Sequence, residues 1–313
     1  MRKLLTIALV VAMLVSVLAS AALAEGLKVG FSQYASYNNW RVTNTDDINR
    51  ALKEAGFDVI FADANDDTAQ QISDLEARSL QKPDYLVIGP REQEGYESVL
   101  EEAKDAGIKV VLYDRLAEGP YDVLIQGDYI MEGENVGQAV VDTFGTEEQV
   151  NIVELTGTPG ADVTAQRAQG FRNIIDQYSN YTILASQVGN FSRTESQTAM
   201  ENLIQSYGDQ INVVYAHSDD NGIGAINAIK AAGLVPGKDI LVFGVDGTTD
   251  GLQAIIDGEM KATYLCNPFY GDAIVELINK LEAGETFEDR VVLQGKLYNI
   301  DNAQASLDAG EGF

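Results

Sequence analysis

The chain has 313 residues and carries 48 acidic against 21 basic side chains, a formal charge of −27 at pH 7. So acidic a chain repels polyphosphates, which disfavours a nucleic-acid partner. The acids are dispersed through stretches such as 97–105 and form no low-complexity tail, so they read as a solvated surface.

Arg2 and Lys3 open the chain, an apolar run covers 4–18, and Ala22, Leu23 and Ala24 give a small-residue cleavage pattern. The expectation is an export signal over residues 1–24, cleaved after Ala24, with an uncleaved membrane anchor as the weaker alternative. Removing two of the 21 bases leaves 19 against 48 acids, a formal charge of −29. No other stretch is long enough to span a bilayer, so no stable membrane insertion of the mature chain is expected. The only cysteine, Cys266, is far from the cleavage site, which argues against a lipid anchor and excludes an internal disulfide. An unanchored exported protein is retained by an outer membrane, so the expected location is the periplasm.

From residue 27 apolar strands alternate with amphipathic helices. Strands are predicted over 27–32, 58–62, 85–89 and 109–113, with helices over 46–55, 69–80 and 97–106 between them. A second series starts near Val123. Helices over 136–144, 165–178, 196–207, 223–232 and 252–257 there interleave with strands over 150–155, 182–187, 212–216 and 240–245. Alternation at this spacing indicates right-handed βαβ units and parallel sheets. A mature chain of about 290 residues exceeds one core, so two α/β lobes joined by short crossovers are expected. Helices stop at Gly56, Gly107 and Gly233, where a left-handed cap costs least. No glycine-rich phosphate turn follows a strand, and no cofactor is expected.

With a single histidine, His217, and a single cysteine, the chain cannot build a thiolate–imidazole metal centre, and no metal is expected. A Cys266–His217 nucleophile pair is a hydrolase alternative, set against an incidental apolar thiol and a polar loop histidine. The positive signal lies at strand ends. The run 108–113 stops at Asp114 and Arg115, which is costly in a parallel sheet unless the strand end opens onto a polar ligand. Arg91 follows the third strand. Tyr34, Tyr37, Asn38, Asn39, Trp40 and Arg41 follow the first, just ahead of a helix.

Trp40 offers a flat apolar face and Arg41 forked donors, a pairing suited to a sugar, with ordinary lobe packing as the other reading of Trp40. The second half supplies Arg167 at a helix start, Phe191, Ser218 with Asp219, and Asp246 before Gly247. Asp114 accepts from hydroxyls and Arg115 donates to them, with a structural ion pair as the alternative for the two. Asp219 is expected to cap the helix that begins near Asn221, and Asp246 to contact ligand from a tight strand-to-helix turn. Arginines outnumber acids in this set, which leaves an anionic ligand such as a sugar acid open.

Several stretches in this order resemble the periplasmic sugar-binding proteins of ABC importers of the ribose and galactofuranose type. They are Val29-Gly30-Phe31-Ser32-Gln33, Leu112-Tyr113-Asp114-Arg115, Arg167-Ala168-Gln169-Gly170-Phe171, Tyr215-Ala216-His217-Ser218-Asp219-Asp220 and Val245-Asp246-Gly247. The likeness covers essentially the whole mature chain. It implies the type I fold: two Rossmann-like lobes with parallel sheets joined by a three-segment hinge. The lobes would comprise 25–126 plus 267–293 and 127–266 plus 294–313, with hinge residues Gly127, Cys266 and Gly295. It also implies a monomer that is not an enzyme, takes a small furanose or pentose and passes it to an ABC permease.

A ligand-sensing receptor for chemotaxis or a histidine kinase is the alternative. The lactose-repressor family shares this fold, but an export signal stands here in place of its DNA-binding motif. Carried over by resemblance, Asp114, Arg115, Arg167 and Asp246 match contact positions, Arg41 matches the galactofuranose type, and Phe191 matches an aromatic of ribose binders. Ser218 replaces a usual asparagine, Tyr37 an acid and Cys266 a glutamine. Replacing Asp114 with alanine is expected to abolish binding and leave the fold largely intact.

Overall fold

The computed structural model describes residues 26–286 and 288–313. The export signal over 1–24 and its cleavage after Ala24 lie outside the described residues. The chain begins β1 (Lys28–Gln33), α1 (Asn39–Glu54), β2 (Asp58–Asp63), α2 (Thr68–Ser79), β3 (Tyr85–Gly89), α3 (Glu97–Asp105), β4 (Lys109–Tyr113) and β5 (Val123–Gly127). It continues α4 (Tyr129–Phe144), β6 (Val150–Thr156), α5 (Asp162–Ile175), β7 (Tyr181–Val188), α6 (Arg193–Tyr207), β8 (Val213–Ala216), α7 (Asp219–Ala231), β9 (Leu241–Asp246), α8 (Thr249–Ile256) and β10 (Ala262–Leu265). Last come α9 (Gly271–Glu282), β11 (Arg290–Leu293), β12 (Leu297–Asn299) and α10 (Ala303–Asp308).

Two six-stranded sheets result, with strand orders β11-β5-β4-β3-β1-β2 and β12-β10-β9-β8-β6-β7. All pairings are parallel except β10 with β12. Strands β3, β5 and β8 are buried along their whole length, as expected where helices cover both faces of a sheet. Leu52, Ile48, Ile274 and Ile278 of α1 and α9 close over Val29, Phe31 and Val111 of the first sheet. Each such side chain taken fully out of water stabilises the fold by about 1.5–3 kcal/mol.

The register explains why the polar strand ends gather. Gln33 pairs with Gly89, Ile88 with Leu112, and Tyr113 with Ile125, so the first sheet finishes on one edge. Leu155 pairs with Ala216, Tyr215 with Phe243, and Leu265 with Asp246, so the second does the same. After β5 the chain enters the second sheet. It leaves that sheet after β10, adds β11 beside β5, and returns through 294–296 to add β12 beside β10.

Several elements start earlier than their apolar pattern. Helix α1 begins at Asn39, because the Asn38 side chain accepts from the Arg41 amide at 2.9 Å. Trp40 and Arg41 therefore lie in its first turn and not ahead of it. Helix α5 starts at Asp162, which puts Arg167 in its second turn. The cap of α7 is Ser218, whose hydroxyl accepts from the Asn221 amide at 3.1 Å, and Asp219 is the first helical residue instead. The predicted elements stop at residue 257, whereas β10, α9, β11, β12 and α10 follow it.

Candidate functional site

The strand-end side chains of the two sheets face each other across a cavity of about 30 Å³. Tyr34, Asn38, Trp40, Arg41 and Asp114 line it from one side, Val163, Arg167, Phe191 and Asp246 from the other, and Cys266 from the segment that crosses between the sheets. That is room for about one water and far below the roughly 300–1,000 Å³ of small-molecule sites, so a sugar ring fits only when the two linings move apart.

Asp114 has a left-handed backbone, φ 62°, which turns its side chain away from the strand it follows. It pairs with Arg41, lies 3.6 Å from Arg115 Nε, and accepts from the Tyr129 hydroxyl at 2.7 Å. Burial pushes its carboxyl up, but Arg41 and Arg115 outweigh this and hold it below the ordinary value. The Tyr34 hydroxyl accepts from Arg41 Nε at 3.0 Å and from Arg115 Nη2 at 2.7 Å, so one phenol orders both guanidinium groups. Trp40 donates its indole N–H to the Cys266 carbonyl at 2.8 Å, and the Arg41 guanidinium lies 4.5 Å from its ring centre. Trp40 thus fastens α1 to the crossing segment and lines the cavity.

On the other side, Arg167 donates from Nε to Glu132 at 2.7 Å and from Nη1 to the His217 carbonyl at 2.5 Å, and lies 3.7 Å from Asp246. This reach depends on two glycines where α4 crosses α5. A Cβ on Gly170 would sit 2.0 Å from the Ile130 carbonyl oxygen, and one on Gly133 would sit 2.3 Å from that of Arg167. Burial pushes the Glu132 and Asp246 carboxyls up against the opposing pull of Arg167. The Phe191 ring lies over Gly157, where a Cβ would come within 1.9 Å of it, and a left-handed backbone at Asn190 and Phe191 turns it there.

Four sequence-selected residues lie outside the lining, of which Arg115 is buried against Tyr34 and Asp114. Arg91 does not reach the cavity, because Asp66 takes its Nε at 2.8 Å; only its backbone carbonyl is used, as an acceptor for Arg115. Ser218 is buried as the cap of α7 and is not part of the lining. Tyr37 is at the mouth, its hydroxyl 3.2 Å from that of Tyr34 and 3.4 Å from the Asn190 carbonyl, in an open outer groove. Sequence reasoning missed Tyr129 and Glu132, which anchor Asp114 and Arg167. Their one signal was the Asp128 cap at the start of α4, which accepts from the Met131 amide at 3.0 Å.

Asp219 is a buried brace. It accepts from the Thr248 amide at 2.8 Å, the Thr248 hydroxyl at 3.0 Å and the Thr263 hydroxyl at 2.6 Å. His217 is not a loop histidine: it is fully buried, with Nε2 3.1 Å from Glu154 and Nδ1 without a hydrogen-bond partner among the described residues. Burial pushes the Cys266 thiol up, away from the thiolate. The two do not form an activated pair. Among the described residues no group of three or more His, Cys, Asp or Glu side chains could hold a metal ion, and no helix is long and apolar enough to cross a membrane.

Residues 29–286 match the periplasmic binding protein domain. The galactofuranose-binding protein of Escherichia coli K12 is 36% identical over 307 residues, covering 96% of each chain. The ribose import binding protein of Bacillus subtilis 168 is 36% identical over 269 residues, covering 86% of this chain and 82% of that one. A crystal structure from Mycobacterium smegmatis in complex with β-D-fucofuranose superposes with a TM-score of 0.88 at 39% identity, over 91% of this chain and 95% of that one. With the two parallel sheets and the ring of charged strand ends between them, these likenesses settle the family: the chain is a member of the periplasmic binding proteins.

Proposed function

We propose that this chain is an extracytoplasmic receptor, not an enzyme, that captures one small neutral sugar between its lobes and delivers it to an ABC permease. The observation that carries this reading is the charge balance of the cavity. Arg41, Arg115 and Arg167 are interleaved with Asp114, Glu132 and Asp246, each of the three acids within 4 Å of a guanidinium. In the lining itself two guanidinium groups, Arg41 and Arg167, stand with two carboxyls, Asp114 and Asp246, while Arg115 and Glu132 lie outside it. This set of donors and acceptors in fixed directions suits hydroxyls better than a carboxylate. The sugar-acid alternative counted Arg91, which Asp66 engages, and lacked Glu132. Tyr34, Trp40 and Phe191 add aromatic faces for the C–H side of a ring.

The galactofuranose, ribose and fucofuranose of the three relatives support a furanose or pentose here. The proposed contacts are Trp40, Arg41, Asp114, Arg115, Arg167, Phe191 and Asp246, with Tyr37 at the entrance. The proposed lobes are 25–126 plus 267–293 and 127–266 plus 294–313, hinged at Gly127, Cys266 and Gly295. At Gly295 a Cβ would meet the Leu265 carbonyl oxygen at 2.0 Å, so the crossing strands need a residue without a side chain there. The expected export signal and the family support a periplasmic location.

A thermal-shift panel of D-galactose, D-fucose, L-arabinose, D-ribose and D-galacturonic acid tests this. A ligand at a hundred times its Kd stabilises the native state by about 2.7 kcal/mol. A shift with one or more of the neutral sugars is expected. A shift with the uronic acid alone would remove the neutral-ligand reading, and no shift with any of them would remove the sugar reading.

A further inference from the structure

Besides the Tyr129–Asp114 bond inside the cleft, four hydrogen bonds join the two lobes on two sides of the cavity mouth. On one side the Asn38 side chain donates to the Phe191 carbonyl at 3.3 Å and the Tyr37 hydroxyl reaches the Asn190 carbonyl at 3.4 Å. On the other, the Gln93 amide donates to the Gly160 carbonyl at 3.1 Å and the Leu116 amide donates to Asp162 Oδ1 at 3.3 Å. Of these four only the last uses a carboxyl. Asp162 is the first residue of α5, is 4% exposed, and does not line the sugar cavity.

We propose that Asp162 is a positioning residue for lobe closure, and that its carboxyl makes capture of the ligand tighten as the medium becomes more acidic. The proposal deepens the capture reading above and rests on it. When the lobes are apart, water reaches both Asp162 and the Leu116 amide. Closure removes that water and brings the carboxyl against the end of β4, where Asp114 and Arg115 face it; Glu92, after β3, faces the neighbouring Gly160. On its own helix Oδ2 accepts from Gln166 at 3.1 Å.

In the closed arrangement burial, then Asp114, pushes the Asp162 carboxyl up to about 6 from an ordinary 3.8, against the pull of the Leu116 amide and Arg115. The closed state therefore takes up a proton that the open state does not hold between those two values. Closure gains as pH falls through about 6, levels off below the ordinary carboxyl range, and loses the gain as pH rises again. This single group tightens Kd on the order of tenfold between pH 7.5 and 4.5. The cavity carboxyls Glu132 and Asp246 also titrate with closure, so the test isolates Asp162 by substitution.

Fluorophores attached through Leu80→Cys and Val235→Cys, which are 84% and 49% exposed and lie on different lobes, report the distance between them, while native Cys266 is buried. The distance is followed from pH 8 to 4.5 with and without saturating D-galactose, and the apparent Kd is read at each pH. Asp162→Asn keeps the acceptor oxygen and removes the proton. The expected result is that the acid-driven shift toward the short distance, and the tightening of Kd, are at least several-fold larger in the parent protein than in D162N. Superimposable pH profiles for the two proteins would overturn the proposal. If D-galactose changes the distance at no pH while the acid response still depends on Asp162, the choice of sugar fails and the closure role stands.

Discussion

The Tyr129 hydroxyl, at the first residue of α4, donates to Asp114 Oδ1 at 2.7 Å, joining a helix that packs on the second sheet to the strand-end acid of the first. This bond, together with Arg41 and Arg115, makes Asp114 the acceptor at the centre of a fully buried network. It changes what its removal does.

Asp114→Ala is expected to abolish sugar binding and also to cost stability, because Arg41 and Arg115 are left buried without their acid. Breaking a buried pair from one side costs roughly 3–5 kcal/mol, which is more than the sequence-based expectation of an intact fold allowed. Asp114→Asn keeps the shape and one acceptor, so it should lose binding at a smaller stability cost. Calorimetric titration beside urea melts separates the two effects; unchanged affinity in D114N would refute the contact role.

Gly170→Ala probes the helix crossing that brings Arg167 to Glu132. Its Cβ would meet backbone, 2.0 Å from the Ile130 carbonyl oxygen, so α4 and α5 must separate. Strain of this kind costs about 1–3 kcal/mol, and Arg167 should withdraw from the cavity with a weaker Kd. A variant with the parent's melting temperature and affinity would show that the crossing has room to spare.

Asp219 and Arg193 serve as contrasts. Asp219→Asn weakens three buried hydrogen bonds that hold the turn before α8, so a stability loss of about 1–3 kcal/mol is expected. Arg193 pairs with Asp220 and Asp250 on the open groove, and Arg193→Ala should cost at most about 1 kcal/mol. Neither should move Kd more than a few-fold, and a large loss of affinity in either would extend the binding surface to the groove.

Glu154 predicts a pH dependence of stability. Burial pushes its carboxyl up, but the hydrogen bonds from His217 and Arg172 outweigh this and hold it below the ordinary 4.5. The native state thus favours the ionised form, and the stabilisation is complete above about 4.5 and is lost as pH falls through the lower native value. The gap in melting temperature between the parent and Glu154→Gln should be widest near neutrality and narrow below pH 4. A gap that stays constant to pH 3 would show that the network is not ionic.

The strand–helix alternation was legible because hydrophobic period is local: β3 and β4 appear over the spans their apolar runs predict, and Gly56, Gly107 and Gly233 have the positive φ expected of helix-ending caps. Helix starts were less legible wherever the opening turns carry polar but buried residues. In α1, Asn44, Thr45 and Asp47 are buried, because Asn44 donates to the Pro268 carbonyl and Asp47 accepts from the Gly271 amide. Those partners lie more than two hundred residues away along the chain, so no period can announce them.

For the site, the sequence by itself determined which strand ends carry acids and bases, since a charge after a buried parallel strand must meet a ligand or a partner. Only the tertiary structure decided between those two outcomes. Arg91 met Asp66 and left the site, Ser218 turned to its own helix, and Glu132 entered through a close helix crossing to balance Arg167. The physical reason is that a buried charge is satisfied by whatever lies within about 4 Å of it, and that neighbour is chosen by the packing of distant segments.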